Sequence, residues 1–238
     1  MIRQFAPYDA VAEDYYDSVL HPTCENFRSL SRKFLEQIIS DDTFRISLKR
    51  PIIETGCGKS LLCEIADSGL IEFPENLTIQ DQSEKMISHS VRWQNSLRDI
   101  FISDARNMPL GKASLSGAFS FLADPYNDQA LWKEISRVLA PTGIWIVTVP
   151  SHAWAARFRE PDGLEVSRFV TAQGTEHDLP SYTYAPKDLV GGASNYGLAL
   201  RRFRSFNISE IEGSISGKLR VGTGGNSILD CYAFEREP

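Results

Sequence analysis

The stretch PIIETGCGKSLLCEIA, residues 51–66, reads as a short apolar strand that turns through glycines directly into a helix. Pro51 to Glu54 precede Thr55-Gly56-Cys57-Gly58-Lys59-Ser60, and Leu61, Leu62, Cys63 and Ile65 follow with helical character. Gly56 and Gly58 remove the Cβ atoms that would keep a ligand off the backbone, and a helix start aims its N–H groups at partial negative charge. A single glycine turn of this kind also arises as an ordinary tight loop, so its meaning depends on the flanking chain.

Working outward, a second strand, Leu77 to Ile79, ends at Gln80-Asp81 and leads into a helical stretch from Glu84 to Leu97. A third, Ile100 to Ile102, ends at Ser103-Asp104-Ala105. A fourth, Gly117 to Leu122, precedes Ala123-Asp124-Pro125-Tyr126 and a helix with Leu131, Ile135, Val138 and Leu139 on one face. That helix is expected to stop at Pro141-Thr142-Gly143. The fifth strand, Ile144 to Val149, is apolar on both alternations, as a strand covered on both faces must be. Strand and helix alternating at this spacing predict an α/β protein built on a doubly wound, mostly parallel sheet with helices on both faces. Upstream, Ala10 to Ile39 is helical in pattern, broken at His21-Pro22, with Phe27, Leu30, Phe34, Leu35 and Ile38 forming an apolar stripe. Downstream, the reading gives a short helix at Trp154 to Arg159, a loop to Pro186, a helix from Asp188, and strands around Leu198 to Ile211 and Ile228 to Phe234.

With 238 residues, 42% of them apolar and 24% charged, the chain can bury one sizeable core, which excludes disorder, collagen and a small cystine scaffold. Twenty-five Lys and Arg against 31 Asp and Glu leave a net charge of −6, so no global positive field draws it to nucleic acid or an anionic membrane. Cys24, Cys57, Cys63 and Cys231 form no CxxC pair and suggest no metal site, as expected of reduced thiols in a cytoplasm. The opening MIRQFAPYDAVAEDYYD lacks the pattern of a secretory signal, and no apolar run approaches the roughly 20 residues of a membrane helix. A cytoplasmic location without membrane association is the expectation.

An open parallel sheet binds ligands beyond the carboxyl ends of its strands. There Asp81 can accept hydrogens from two ribose hydroxyls, or simply cap the helix at Glu84. Asp104 can accept from an adenine amino group while the Ala105 N–H meets a ring nitrogen, or merely end a strand. The glycine turn and these two acids fall at one sheet edge in consecutive βα units.

Ile53-Glu54-Thr55-Gly56-Cys57-Gly58, Asp81-Gln82-Ser83-Glu84-Lys85-Met86, Ser103-Asp104-Ala105-Arg106-Asn107-Met108-Pro109-Leu110, and the block from Leu131 to Leu139 with Pro141-Thr142-Gly143 complete the pattern. From about Ile52 to Pro150 the chain resembles the class I S-adenosylmethionine-dependent methyltransferases of the small-molecule, methyltransferase domain 11/25-like type. The resemblance implies a Rossmann-like sheet of seven strands whose last runs antiparallel, and S-adenosylmethionine as cofactor. It places Glu54, Gly56, Cys57, Gly58, Asp81, Gln82, Met86, Asp104, Ala105 and Phe121 at that cofactor. Tyr8-Asp9-x-x-Ala12-x-x-Tyr15-Tyr16-Asp17 resembles a segment that closes over it, bringing in Tyr16. The expected organisation is one domain: a helical cap to residue 50, a cofactor-binding core over 51–150, and an acceptor-side region to 238. The chain departs from the family at Ser60, where a third glycine is common, at Thr142 in a Gly-Gly turn, and at Ser116, where a Phe-Asp pair usually opens the fourth strand.

Methyl transfer from a sulfonium is an in-line displacement in which alignment supplies up to about 7–11 kcal/mol, and a base is needed only if the acceptor must lose a proton. Asp124-Pro125-Tyr126-Asn127 is similar to the Asp-Pro-Pro-Tyr of amino-group methyltransferases acting on nucleobases, without the second proline, and reads equally as a turn opener. His152 beyond the fifth strand and His21 in the cap are the other catalytic candidates; each also reads as a structural histidine. His177 lies in a polar loop, and Trp154, Phe158, Tyr182 and Tyr184 offer aromatic surface that either packs or lines an acceptor pocket. Arg201-Arg202-Phe203-Arg204 reads as a solvated strand edge, the alternative being a contact with phosphate or an acidic acceptor. The expected activity is methyl transfer to a small-molecule acceptor. The alternatives are a nucleobase or tRNA methyltransferase using Asp124 and Tyr126, and a non-catalytic S-adenosylmethionine-binding regulatory protein.

Overall fold

The computed structural model describes residues 6–41, 48–159, 165–221 and 227–238. Helix α1 (Pro22–Ile39) starts with a proline at its first position, where the missing N–H forfeits no hydrogen bond. Its stripe of Phe27, Leu30, Phe34, Leu35 and Ile38 is buried. The chain then runs β1 (Ile52–Thr55), α2 (Leu61–Asp67), β2 (Leu77–Asp81), α3 (Glu84–Ile87), β3 (Asp99–Ile102), β4 (Leu115–Ser120), α4 (Gln129–Val138) and β5 (Leu139–Pro150). It continues through α5 (His152–Ala155), β6 (Val166–Val170), β7 (Glu176–Pro180), α6 (Pro186–Ser194), β8 (Leu198–Phe206), α7 (Gly217–Arg220) and β9 (Leu229–Arg236).

Seven strands form one sheet in the order β3-β2-β1-β4-β5-β9-β8. The pairs from β3 to β5 are parallel, and β9 runs antiparallel to both β5 and β8. Two apolar layers sandwich the sheet: α1 and α2 supply one through Phe34, Leu35, Leu62 and Ile65, and α4 and α6 supply the other through Leu131, Ile135, Leu189 and Ala193. The order reverses at β1, with β2 and β3 on one side and β4 and β5 on the other. A crevice therefore opens at the carboxyl ends of β1 and β4. No helix among the described residues is long and apolar enough to cross a membrane.

Several local expectations are corrected. Residues 7–20 form a 3-10 turn (Pro7–Ala10) and a run of turns rather than a helix. The helix expected over Glu84 to Leu97 is one α-turn followed by a 3-10 stretch, Ser88–Ser96. β4 starts at Leu115, two residues before its expected start. The loop expected before Pro186 contains a two-stranded antiparallel hairpin, β6 with β7. Its partner strand, Glu176-His177-Asp178-Leu179-Pro180, is mostly polar and only Leu179 is buried, so no alternation announced it. The turn between them is closed by backbone bonds linking Thr171 with Gly174 and Thr175.

α4 leads into β5 at Leu139, and the register slips between the Leu115–Leu139 and Gly117–Ile144 pairs. In the slip, Thr142 sits at φ +63°, a left-handed conformation that a β-branched residue resists. A Cβ at the next residue, Gly143, would lie 2.8 Å from the Ala140 carbonyl oxygen. The bend thus keeps glycine where there is no room and tolerates strain where there is solvent. Thr142→Gly is expected to raise the urea midpoint with an unchanged slope, a gain of up to about 1 kcal/mol.

Candidate active site

The glycine turn between β1 and α2 is held from both sides. Gly56 and Gly58 adopt φ +55° and +47°. The Gly58 N–H donates to Asp81 Oδ2 at 2.8 Å, the Cys57 N–H to the Gln80 carbonyl at 3.0 Å, and the Gly56 N–H to Gln80 Oε1 at 3.2 Å. Behind the turn, the buried Glu54 carboxylate accepts from Leu61 N–H at 2.8 Å, Leu62 N–H at 3.2 Å and the Ser60 hydroxyl at 2.6 Å. Burial lifts the Glu54 carboxyl to about 7 despite those donors. Ser60 Oγ in turn accepts from the Cys63 N–H at 3.1 Å. The residue that departs from a third glycine is therefore the N-cap of α2.

In front of this turn lies a cavity of about 300 Å³. Gly56, Cys57, Asp81, Gln82, Met86, Asp104, Ala105, Phe121 and Tyr16 all line it, as does Tyr126. Asp81 and Asp104 share this one cavity wall. Glu54 and Gly58 stand outside the lining. Glu54 acts on the turn from behind, and Tyr16 covers Gly58 so closely that a Cβ there would lie 2.2 Å from its hydroxyl oxygen. That same oxygen accepts the Lys59 N–H at 2.7 Å, fastening the N-terminal segment across the turn. Asp9 and the Ser83 hydroxyl make a second fastening, and the His89 ring meets the Ala12 carbonyl at 2.8 Å.

Asp81 also accepts the Ser83 N–H at 2.9 Å, and burial raises its carboxyl to about 6 against the pull of these N–H donors. With the backbone N–H groups of Gly58, Gln82 and Ser83 addressing it, the carboxylate still has acceptor capacity for a ligand hydroxyl. Asp104, expected at an adenine amino group, lines the cavity and is also engaged by a neighbouring side chain. Arg106 forks onto it, Nε to Oδ1 at 2.9 Å and Nη2 to Oδ2 at 2.8 Å, and reaches Asp128 Oδ2 at 3.2 Å. Burial pulls the Asp104 carboxyl upward, but the guanidinium and backbone bonds outweigh it and leave the value lowered. The Ala105 N–H has no protein acceptor among the described residues and remains available at the same wall. A bare-backbone turn, an acid with spare lone pairs and a free N–H fit a nucleoside cofactor carrying ribose hydroxyls and an adenine edge. Arg106 and Arg28 also line this cavity and were missed in sequence. Arg28 lies on α1, far from the motif, and its guanidinium sits 5.2 Å from the Tyr16 ring centroid while donating to Glu64 at 2.5 Å.

A second cavity of about 320 Å³ adjoins the first, and Tyr8, Tyr15 and Leu122 line both. It receives His21 and Asp124. Asp124 accepts the Ser181 hydroxyl at 2.5 Å; burial raises it to about 6, opposed by that bond and by Arg159. His21 Nε2 is sealed from water without a partner among the described residues. Tyr126 does not face Asp124 across either cavity, since its hydroxyl donates to the Thr55 carbonyl at 2.7 Å beside Gly56. His152 lines neither cavity: the segment after β7 crosses the end of β5 and takes the imidazole, Nδ1 lying 2.9 Å from the Thr183 carbonyl. Of the expected aromatics, Trp154 lines the second cavity and Tyr182 the first. The basic run on β8 is engaged by acids: Arg201 with Glu235, Arg202 with Asp41 and Arg204 with Glu210. Burial pushes the Cys24 thiol up to about 12, so it stays protonated at neutral pH. No group of three or more His, Cys, Asp or Glu among the described residues is placed to hold a metal ion.

Residues 53–147 match a family model described as a methyltransferase domain. The structure is similar to a chain of the complex between the Haloferax volcanii Trm112 methyltransferase activator and a putative methyltransferase. That likeness has 12% identity and a TM-score of 0.67, covering 95% of this chain and 98% of that chain. It is also similar to an S-adenosylmethionine-dependent methyltransferase from Mesorhizobium loti, at 13% identity over 87% of this chain and 98% of that one, TM-score 0.59. A third likeness is to geranyl diphosphate C-methyltransferase from Streptomyces coelicolor A3(2), at 10% identity over 87% and 79%, TM-score 0.61. No curated protein sequence matches the chain. At these identities the structural likenesses speak for the fold. The matched segment, under half of the chain, carries the glycine turn, Asp81 and Asp104.

Three outcomes follow from the geometry. A Cβ at Gly56 would lie 2.2 Å from the Tyr126 hydroxyl oxygen on a left-handed backbone, so Gly56→Ala is expected to cost about 1–3 kcal/mol of stability in urea unfolding and to abolish S-adenosylhomocysteine binding in calorimetry. Asp81 accepts ligand hydroxyls best when ionised, so affinity for S-adenosylhomocysteine is expected to be full well above pH 6 and to fall as pH drops through that value. Asp81→Asn is expected to weaken binding about ten- to a hundredfold and to flatten that profile.

Proposed function

We propose that the chain transfers a methyl group to a small molecule seated in the second cavity, with the cofactor in the first and the transfer made across the boundary at Tyr8, Tyr15 and Leu122. The observation that carries this reading is the pair of adjoining chambers, each about 300 Å³, sharing those three residues. Their size suits small ligands. Bound S-adenosylmethionine supplies a methyl on a sulfonium, which becomes a thioether as the S–CH₃ bond breaks and the sulfur keeps the electron pair.

The protein's part is to hold, align and, where the acceptor bears a proton, remove it. The turn and Asp81 fix one partner, while the aromatic walls of the second chamber exclude water and orient the other. Asp124 is the proposed base. With its carboxyl near 6 it is mostly ionised at neutral pH, and it borders the acceptor chamber. Splitting Asp124 and Tyr126 between two cavities favours this reading over a nucleobase clamp built from both.

The test incubates purified protein and methyl-labelled S-adenosylmethionine with a cell extract, then separates metabolites from nucleic acid and protein. Label in the metabolite fraction is expected. Label in RNA or DNA overturns the acceptor class, and S-adenosylhomocysteine binding without any labelled product supports a regulatory role instead. Once an acceptor is found, the rate is expected to rise as pH climbs through about 6. Asp124→Asn should lower kcat with S-adenosylhomocysteine affinity intact.

A further inference from the structure

Two cations line the first cavity among the described residues, Arg28 and Arg106, and they are differently employed. Arg106 is spent on acids: its Nε and Nη2 fork onto Asp104, and its Nη1 reaches Asp128. Arg28 gives an Nη2 hydrogen to Glu64 Oε2 at 2.5 Å, and no other hydrogen bond of its guanidinium is made to a described residue. None of its nitrogens is among the buried polar atoms sealed off without a partner, so its spare N–H groups keep open space in front of them, and the cavity is the space that Arg28 borders. Glu64 is shared: Lys59 Nζ takes its Oε1 at 2.5 Å, so two cations flank one carboxylate and a positive charge is left over. The Lys59 side chain is 36% exposed and that of Arg28 only 11%, so water screens the first while the second faces the cavity. Glu54 feels the Arg28 charge from behind the turn, yet its oxygens are taken by Ser60, Leu61 and Leu62.

The order of the strands decides which part of a ligand arrives here. Asp104 and Ala105 follow β3, Asp81 follows β2 and the glycine turn follows β1, so an adenine edge, a ribose and whatever hangs from that ribose meet three adjacent strand ends in turn. Arg28 belongs to the last of these positions: its guanidinium lies 5.2 Å from the centroid of the Tyr16 ring, whose hydroxyl accepts the Lys59 N–H of the turn. In S-adenosylmethionine the group that hangs from the ribose ends in an amino acid, with a carboxylate that only accepts, and a guanidinium only donates. We propose that Arg28 takes the carboxylate at the amino-acid end of the cofactor and thereby makes the first cavity select for ligands that carry one. The proposal rests on the methyltransferase reading for the identity of the ligand. A buried guanidinium tethered on one side by Glu64 loses little freedom in making such a bond, and charge on both partners makes it a strong one.

The experiment titrates the full-length protein by calorimetry with S-adenosylhomocysteine, with its decarboxylated analogue, which keeps the amine, and with 5′-methylthioadenosine, which lacks the amino acid altogether. The wild-type protein is expected to hold S-adenosylhomocysteine at least about tenfold more tightly than either of the others. Arg28→Met is expected to weaken S-adenosylhomocysteine about ten- to a hundredfold while 5′-methylthioadenosine stays within about twofold, so that the preference for the carboxylate closes. Glu64→Gln breaks the same ion pair but keeps the guanidinium, and is expected to leave S-adenosylhomocysteine within about threefold of its wild-type affinity. Unchanged S-adenosylhomocysteine affinity in Arg28→Met overturns the assignment. So does an equal loss for all three ligands, or a loss in Glu64→Gln as large as that in Arg28→Met, since either makes Arg28 a support of the fold rather than a ligand contact. A wild-type protein that binds none of the three overturns the methyltransferase reading and this proposal with it, whereas one that binds all three equally overturns the role of Arg28 alone.

Discussion

The geometry of the crevice depends on one constraint: a turn with two left-handed glycines must leave β1 and enter α2 without drifting. Neither end of that turn holds itself. Asp81 and Gln80 grip its N–H groups from the neighbouring strand, and Glu54 grips the start of α2 from beneath. Gln80 also donates to the Ser103 carbonyl, which ties the end of β3 into the same clasp. Three strand ends are thereby locked together by buried side chains, of which Asp81 and Gln80 also line the cavity. The ligand-facing residues inherit their positions from this clasp rather than from their own packing.

Two carboxylates of the clasp, and Asp124 beside the second cavity, are kept out of water. Glu54, Asp81 and Asp124 all have folded values above their usual ones, at about 7, 6 and 6. A carboxyl raised on folding favours the native state most below its unfolded value, and that contribution is lost as pH rises through the folded one. At neutral pH Asp81 and Asp124 therefore hold charge against the burial that opposes it, while Glu54 is about half ionised. A site that must present acceptors to a ligand accepts this loss of stability, because a protonated acid would present a donor instead.

The five parallel strands and α4 were legible because local spacing alone determines them: an apolar run on both alternations can only be a covered strand, and Leu131, Ile135 and Val138 can share only one face of a helix. The first chamber was legible for the same reason, since its acids follow consecutive strands. What escaped was long-range. Arg28 reaches the turn from α1, and Arg106 meets its own neighbour Asp104 in a fork that spacing does not foretell. The hairpin β6–β7 buries so little that its polar strand left no periodic trace. His152 stood in the expected place beyond β5, yet a segment 31 residues downstream claimed it. The second chamber joins the N-terminal segment, α1, the hairpin and α7 to the ends of β4 and β5, regions that only the folded chain brings together.

Tyr8 and Tyr15 belong to both chambers at once, and Tyr15 stacks on Phe169 of the hairpin at 5.6 Å while Asp14 holds the Ala172 N–H at 2.8 Å. A partition anchored on both sides cannot shift for one occupant without altering the room left to the other. Whatever free energy the first guest spends or gains in seating those rings is returned, in equal measure, to the second. The two phenols thus tie what one chamber can hold to what the other already holds.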